Sequence, residues 1–288
     1  MELERYRALL CAIEKGSLSA AGEEMGYTPS AISRMMAALE AEHGFPLLVR
    51  RREGVTPTAS CEAMLGTIRE LVFAGEKLEQ LSARIRGADT GTVTIGLAYH
   101  TWYSWLSRVA EEFCREYPGI RIRYSSAYTM ELVRQLEARE VDLCIISRRG
   151  GDHGWIPLCR DPLMAMIPPE HPLAKGDTVP LDAFRTEPFI EMYSGIETDN
   201  AIVFARYGIE PNISYTIADV HAAYSMVEAG LGISMNNALN SRLWAGNVKF
   251  LPLDPPQMVE IGIATAPAIS PAAQRFLEFA RPYFAELA

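Results

Sequence analysis

The sequence predicts an α/β protein in three parts: a small helical head closed by a two-stranded ribbon, one long helix, and a larger α/β domain in two lobes. Three observations lead there. Residues 1–44 carry apolar side chains at helical spacing, interrupted by glycines. Residues 58–86 contain no proline and repeat apolar residues every seven positions. From residue 92 onward, short apolar runs alternate with helical stretches.

At 288 residues, 49% hydrophobic and 22% charged, the chain is long enough for about two domains of roughly 150 residues. Its 21 glycines, 18 prolines and 9% aromatics exclude a collagen-like or low-complexity protein and argue against wholesale disorder. No run approaches the roughly 18 apolar residues of a membrane helix, and Glu2 and Glu4 stand where a signal peptide would be basic. A cytoplasmic location and no membrane partner are therefore expected. Cys11, Cys61, Cys114, Cys144 and Cys159 are scattered singly without a CxxC pair, so neither a disulfide framework, structural zinc nor another cofactor is expected. The net charge of -9 speaks against a polyanion partner only on average. Residues 1–88 hold 11 basic and 12 acidic residues, and Arg50, Arg51 and Arg52 are consecutive.

In the head, Leu3, Tyr6, Leu10 and Ile13 fall on one face of a first helix that Gly16 stops. Ser17 or Ser19 can cap a second helix through Ala20, Ala21 and Met25, and Gly26 can take the left-handed position that ends it. Thr28 then caps a third helix with Pro29 at its first position, where a missing N–H costs nothing. Ile32, Met36 and Leu39 form its apolar stripe, while Ser30, Ser33, Arg34 and Ala37 recur on another face. A solvated surface helix can look like this. So does a helix that enters the DNA major groove, which needs short side chains for close approach and an arginine for guanine O6 and N7. Next, Phe45–Val49 reads as a strand, Arg51–Gly54 as a turn and Val55–Thr56 as a return strand. Arg50, Arg51 and Arg52 then sit at a ribbon tip, where arginines can hold phosphates or reach the minor groove, or merely blunt an exposed edge.

The segment GSLSAAGEEMGYTPSAISRMMAALEAEHGFPLLVRR, followed by GVTPTAS, resembles the N-terminal winged helix-turn-helix of LysR-type transcriptional regulators. The likeness rests on Gly16-Ser17, Ala20-Ala21, Ser30-Ala31-Ile32-Ser33, Leu39-Glu40, Gly44, Arg50 and Thr58. Leu48-Val49 stands where the family usually has Leu-Phe, and Ser60-Cys61 where a glycine commonly follows. The resemblance implies that residues 1–58 bind double-stranded DNA through Thr28, Pro29, Ser30, Ser33, Arg34, Arg50, Arg51 and Arg52.

Thr58 to Arg86 reads as one helix, with Met64, Leu71, Leu78 and Ile85 on one seam position and Cys61, Ile68, Gly75 and Ser82 on the other. Such a seam asks for a partner helix, either the same helix of a second subunit or one within the chain. The resemblance implies a homodimer, and a dimer of dimers (homotetramer), with residues 59–89 as linker and dimerisation helix. Gly87–Gly91 reads as a hinge.

Beyond it, Thr92–Leu97, Ile120–Tyr124 and Val141–Ser147 read as strands, and Trp102–Tyr117 and Met130–Glu140 as helices, which implies a parallel sheet. A similar alternation runs from Leu163 through Val248, with helices near Glu197–Tyr207 and His221–Ala229. GTVTIGL, FCREYPGIRIRY, VDLCIIS and VEAGLGIS are similar to the same family's regulatory domain, which resembles periplasmic solute-binding proteins. That likeness implies an effector-binding domain over 90–288, with lobe I about 90–160 and 267–288 and lobe II about 161–266.

Ligands of open α/β sheets sit beyond the carboxyl ends of the strands, near helix N-termini. The candidate effector residues there are Tyr99, His100, Thr101, Trp102, Ser126, Tyr128, Thr129, Ser147, Arg148, Tyr193, Ile196, Asp219 and His221. By family likeness Thr101 offers its hydroxyl to an effector carboxylate. The aromatics around it suit either an apolar pocket wall or the lobe core. Arg148 could pair an anion or stand exposed. Asp219 and Glu197 either cap their own helices or favour a cation, so the ligand's sign stays open. Met235-Asn236-Asn237 departs from the family, which often has a proline shortly after this segment.

The expected function is a sequence-specific DNA-binding transcriptional regulator controlled by a small-molecule effector between two lobes. The alternative is a cytoplasmic small-molecule receptor of solute-binding type without DNA function. No GxSxG, P-loop, HExxH or Cys/His cluster argues for an enzyme, so no catalytic or metal residue is expected.

Overall fold

The computed structural model describes residues 3–242 and 244–287 and divides into two units, one ending at Gly91 and the other beginning at Thr92, with Ser270–Ala272 grouped with the first. In the first unit, α1 (Leu3–Lys15) buries Tyr6, Ala8, Leu9 and Ala12. The Ser17 hydroxyl accepts a bond from Ala20 N at the start of α2 (Leu18–Met25), and Gly26 ends that helix at φ 73°. Thr28 Oγ1 accepts from Ala31 N at the start of α3 (Pro29–His43), whose Ile32, Met36 and Leu39 are fully buried. These caps satisfy backbone N–H groups that no helical carbonyl reaches.

The ribbon differs from expectation. β1 (Leu48–Arg51) pairs antiparallel with β2 (Gly54–Pro57), Arg51 lying opposite Gly54. Its start is displaced from Phe45 because Glu40 Oε1 accepts bonds from Leu47 N at 2.9 Å and Leu48 N at 3.2 Å. Phe45 instead packs beside the His43 ring. Gly54, at φ 140°, lies so close to Gly16 that a Cβ there would stand 2.3 Å from the Gly16 carbonyl oxygen. Val55 N donates to that same oxygen at 2.8 Å, which pins the ribbon to the turn after α1.

Thr58 caps α4 (Ala59–Ile85), a helix of 27 residues and about 40 Å. Sequence spacing separates this helix from the head as a linker. In the structure Cys61, Ile68 and Val72 join the head's core, with Leu71 and Met64 packed on it, so the first half of the seam is filled from within the chain. The second half is not: Leu78 is 65% exposed, Leu81 40% and Ile85 87%.

From Gly91 onward the chain forms, in order, β3 (Gly91–Leu97), α5 (Tyr103–Glu116), β4 (Ile120–Ser126), α6 (Thr129–Glu137), β5 (Leu143–Ser147) and β6 (Gly154–Ile167). There follow β7 (Val179–Pro180), β8 (Phe189–Met192), α7 (Asp199–Tyr207), β9 (Ile213–Ile217), α8 (Val220–Glu228) and β10 (Ser234–Asn237). The last elements are α9 (Ala238–Ser241), β11 (Lys249–Asp254), β12 (Met258–Thr265) and α10 (Pro271–Ala280). One sheet runs β4-β3-β5-β12-β6-β11-β7 with β10 also on β6, and β8-β9 form a separate parallel pair.

The sheet is mixed where a parallel one is expected: β3 and β5 are parallel, but β12 runs antiparallel to both β5 and β6. The lobe boundaries at 160/161 and 266/267 shift as well. Strand β6 is continuous for 14 residues, its first part pairing β12 and its last part β10 and β11, so it belongs to both lobes. Strand β12, expected in lobe II, bonds β5 of lobe I from Ile261 to Thr265. On lobe I, Phe113 of α5 stacks edge-on against Phe276 and Phe279 of α10, which brings the C-terminal helix back to the first lobe.

Candidate DNA-reading face and effector cavity

In the head, Thr28, Pro29, Ser30, Arg34 and Ala37 are exposed, because the register that buries Ile32, Met36 and Leu39 turns them outward. Thr28 Oγ1 lies 3.0 Å from Ser30 Oγ. Ser33 accepts a bond from Arg50 Nη1 at 3.2 Å, and Arg50 Nη2 stands 3.9 Å from Glu40 Oε2. Arg50 is thus a strand residue folded back over α3, whereas the sequence suggests a place at the ribbon tip. Arg51 closes β1, and Arg52 with Glu53 forms the two-residue turn. Arg34, Arg51 and Arg52 are exposed and have no ion pair with any described residue. Exposed guanidinium groups on a helix and on a ribbon can offer both phosphate attraction and base-edge hydrogen bonds.

The larger unit contains a cavity of about 370 Å³. Of the expected residues, Tyr99, His100, Ser126, Tyr128, Thr129, Tyr193, Ile196 and Asp219 line it; Thr101, Trp102, Ser147, Arg148 and His221 do not. Each absence has a local cause. His100–Trp102 is one tight 3-10 turn that sends Trp102 into the core against Trp105 and buries Thr101 Oγ1 without a hydrogen-bond partner. Ser147 is fully buried behind the wall, 3.2 Å from Thr129 Oγ1. Arg148 turns out to Glu260 at 3.0 Å and lies over the Trp155 ring. His221 is exposed on α8.

Arg149, absent from the sequence reading, takes the position on the wall. Its side chain is 6% exposed, with Nη1 2.9 Å from Asp199 Oδ1 and Nε 3.6 Å from Glu197 Oε1. Tyr99 donates to Asp199 Oδ2 at 3.2 Å. Burial first, and then the Asp199 carboxylate, hold the Tyr99 phenol well above its usual range, so it serves as a neutral donor. Asp199 of lobe II is therefore gripped by a tyrosine and an arginine of lobe I.

Thr198 and Asp219 cap α7 and α8, accepting bonds from Ala201 N and Ala222 N. Asn200 Nδ2 donates to Met235 O, and Asn236 Oδ1 accepts from Asn240 Nδ2 and Asn237 N. Tyr193 takes the left-handed conformation at φ 59°, with its ring centroid 6.0 Å from that of Tyr128. Burial and then Asp219 push its phenol up. The choice between Arg148 and Arg149 has no signal in the sequence, since every residue of β5 is buried and strand alternation points to no single face.

Comparison with known proteins identifies the family. The family described as "Bacterial regulatory helix-turn-helix protein, lysR family" matches residues 3–62, and "LysR substrate binding domain" matches residues 86–285. Among curated relatives, the uncharacterized HTH-type transcriptional regulator YvbU of Bacillus subtilis is 26% identical over 289 residues, covering 99% of each chain. Full-length OxyR C199D from Pseudomonas aeruginosa superimposes with a TM-score of 0.77 at 17% identity, covering 100% of this chain and 96% of that one. Full-length CbnR in complex with its target DNA gives 0.62 at 22% identity, covering 98% and 99%. With the two family models matching residues 3–62 and 86–285 and a relative aligned along 99% of it, this chain belongs to the LysR family of DNA-binding, effector-responsive transcriptional regulators.

Proposed function

We propose that the chain acts in the cytoplasm as a homodimer, or a dimer of dimers, that binds a two-fold operator and changes its DNA geometry when a small molecule occupies the cavity. Residues 1–58 form the DNA-binding part, 59–89 the dimerisation helix and 90–288 the effector domain. Thr28, Pro29 and Ser30 set the start of α3 against the backbone, and Arg34 with Ser33 reads base edges. Arg51 and Arg52 hold phosphates, and Arg50 braces α3 against the ribbon through Ser33 and Glu40. The observation that carries the reading is the set of exposed guanidinium groups on α3 and the ribbon, those of Arg34, Arg51 and Arg52, which have no ion pair with any described residue, in a chain of net charge -9. Tyr99, His100, Ser126, Tyr128, Thr129, Tyr193, Ile196 and Asp219 form the effector wall together with Arg149 and Asp199, and the protein works by binding rather than turnover. The apolar Leu78, Leu81 and Ile85 support dimerisation, since a helix leaving such residues in water gains by covering them.

The test is retardation of the DNA upstream of the chain's own gene by the full-length protein. Retention that weakens steeply with salt and centres on one protected two-fold site supports the reading. Failure to retard that DNA even at low ionic strength overturns it.

A further inference from the structure

The charge on the cavity wall is lopsided. Glu197, Asp199 and Asp219 share the wall with one guanidinium, that of Arg149, and with the His100 imidazole; counting the imidazole as neutral, the acids exceed the bases by two. The one cation is already engaged: Arg149 is buried against Asp199 and stands close to Glu197. Asp219 is differently placed. Its Oδ1 closes the first turn of α8, and no basic residue of the cavity wall pairs with it.

Asp219 lies near the Tyr193 phenol of lobe II, whose ring meets that of Tyr128 from lobe I, with centroids 6.0 Å apart and planes at 39°. Tyr193 is held there in a left-handed backbone conformation that non-glycine residues seldom adopt, and Tyr193 N donates to Ile217 O at 2.9 Å. Two aromatic faces with a carboxylate alongside make an environment that attracts a positively charged nitrogen through both the ring quadrupoles and direct Coulomb energy. The opposite sign has its own support: no side chain caps the first turn of α6, and Arg149 Nε and Asn237 Nδ2 are buried without a hydrogen-bond partner among the described residues. An anion there would share the cavity with Glu197 and Asp219 and find its natural partner, Arg149, already neutralised.

The geometry points to a cationic effector: a small organic amine or ammonium compound whose nitrogen lies against the Tyr128–Tyr193 pair and pairs with Asp219. This rests on the cavity being the effector site. It narrows the ligand class, and it separates Asp219 from Asp199, which serves the contact between lobes.

The test is a thermal-shift titration of the full-length protein with three probes that share one ring, namely benzylammonium, benzyl alcohol and benzoate. Benzylammonium should bind about tenfold tighter than either of the others. Asp219→Asn keeps the helix cap, because asparagine caps as well as aspartate, and should erase that preference while the protein still folds. Tyr128→Leu, at a position whose side chain makes no cap bond, should weaken benzylammonium about tenfold and leave benzyl alcohol less affected. A preference for benzoate, equal binding of all three, or no shift at the solubility limit of the probes overturns the assignment. The same preparations are assayed on promoter DNA. Retardation without a cation preference discards this inference alone, and a cation preference without retardation discards the regulator reading alone.

Discussion

The arginines of the head and the arginine of the cavity are handled in opposite ways. Arg34, Arg51 and Arg52 lie in water without an ion pair to any described residue, whereas Arg149 is 6% exposed and held by Asp199. A polyanion is attracted by charge left available, so a head of almost balanced composition can still present a positive face. Inside a cavity the same charge without a partner would cost several kcal/mol, and the chain supplies carboxylates to match it. The one residue type thus reports on its surroundings: bare arginine marks a surface for a partner, and paired arginine marks a joint within the chain.

The contrast can be broken most forcefully at the joint. Arg149→Met should lower the stability of the effector domain by about 3 kcal/mol, since it strands the Asp199 carboxylate in a poorly solvated place. Calorimetry would check this, and a loss below about 1 kcal/mol would mean that water already screens the pair. Next in size is Arg34→Ala, which should cost about 1 to 3 kcal/mol on the cognate site and relax base preference at one position. Unchanged affinity in a mobility-shift titration would show that α3 does not read bases through this residue. Thr198→Ala removes the α7 cap bond to Ala201 N and should cost about 1 kcal/mol in chemical denaturation, with DNA affinity untouched. The smallest change in stability, within about 0.5 kcal/mol, belongs to Arg51→Ala. That variant should weaken all DNA sequences alike and reduce the salt slope by about one, and a sequence-dependent effect would move Arg51 from phosphate to base contact.

Legibility divides along the same line. The caps at Ser17 and Thr28, the glycine stops at Gly16 and Gly26 and the buried stripe of α3 are interactions between residues a few positions apart, so spacing and residue type reveal them. The ribbon was legible as a ribbon and misplaced by about three residues, because Glu40, seven and eight positions away, decides where it begins. The helix from Thr58 was legible to within a residue at each end, but not the division of its seam between the head's core and solvent. In the effector domain the loops were found and their facing was not. Arg148 stands out and Arg149 lines the wall through contacts with Asp199 and Glu260, residues 50 and 112 positions distant.

Sequence alone determined the helical head with its exposed polar face on α3, the long helix and the alternation of strands and helices beyond it, because each rests on local backbone preference and on the period of burial. Tertiary structure alone decided the mixed order of the sheet, the sharing of β6 between the lobes and which polar groups meet around the cavity. These are set by pairings between distant segments, whose partners are chosen by packing and charge across space and leave no mark in the spacing of neighbouring residues.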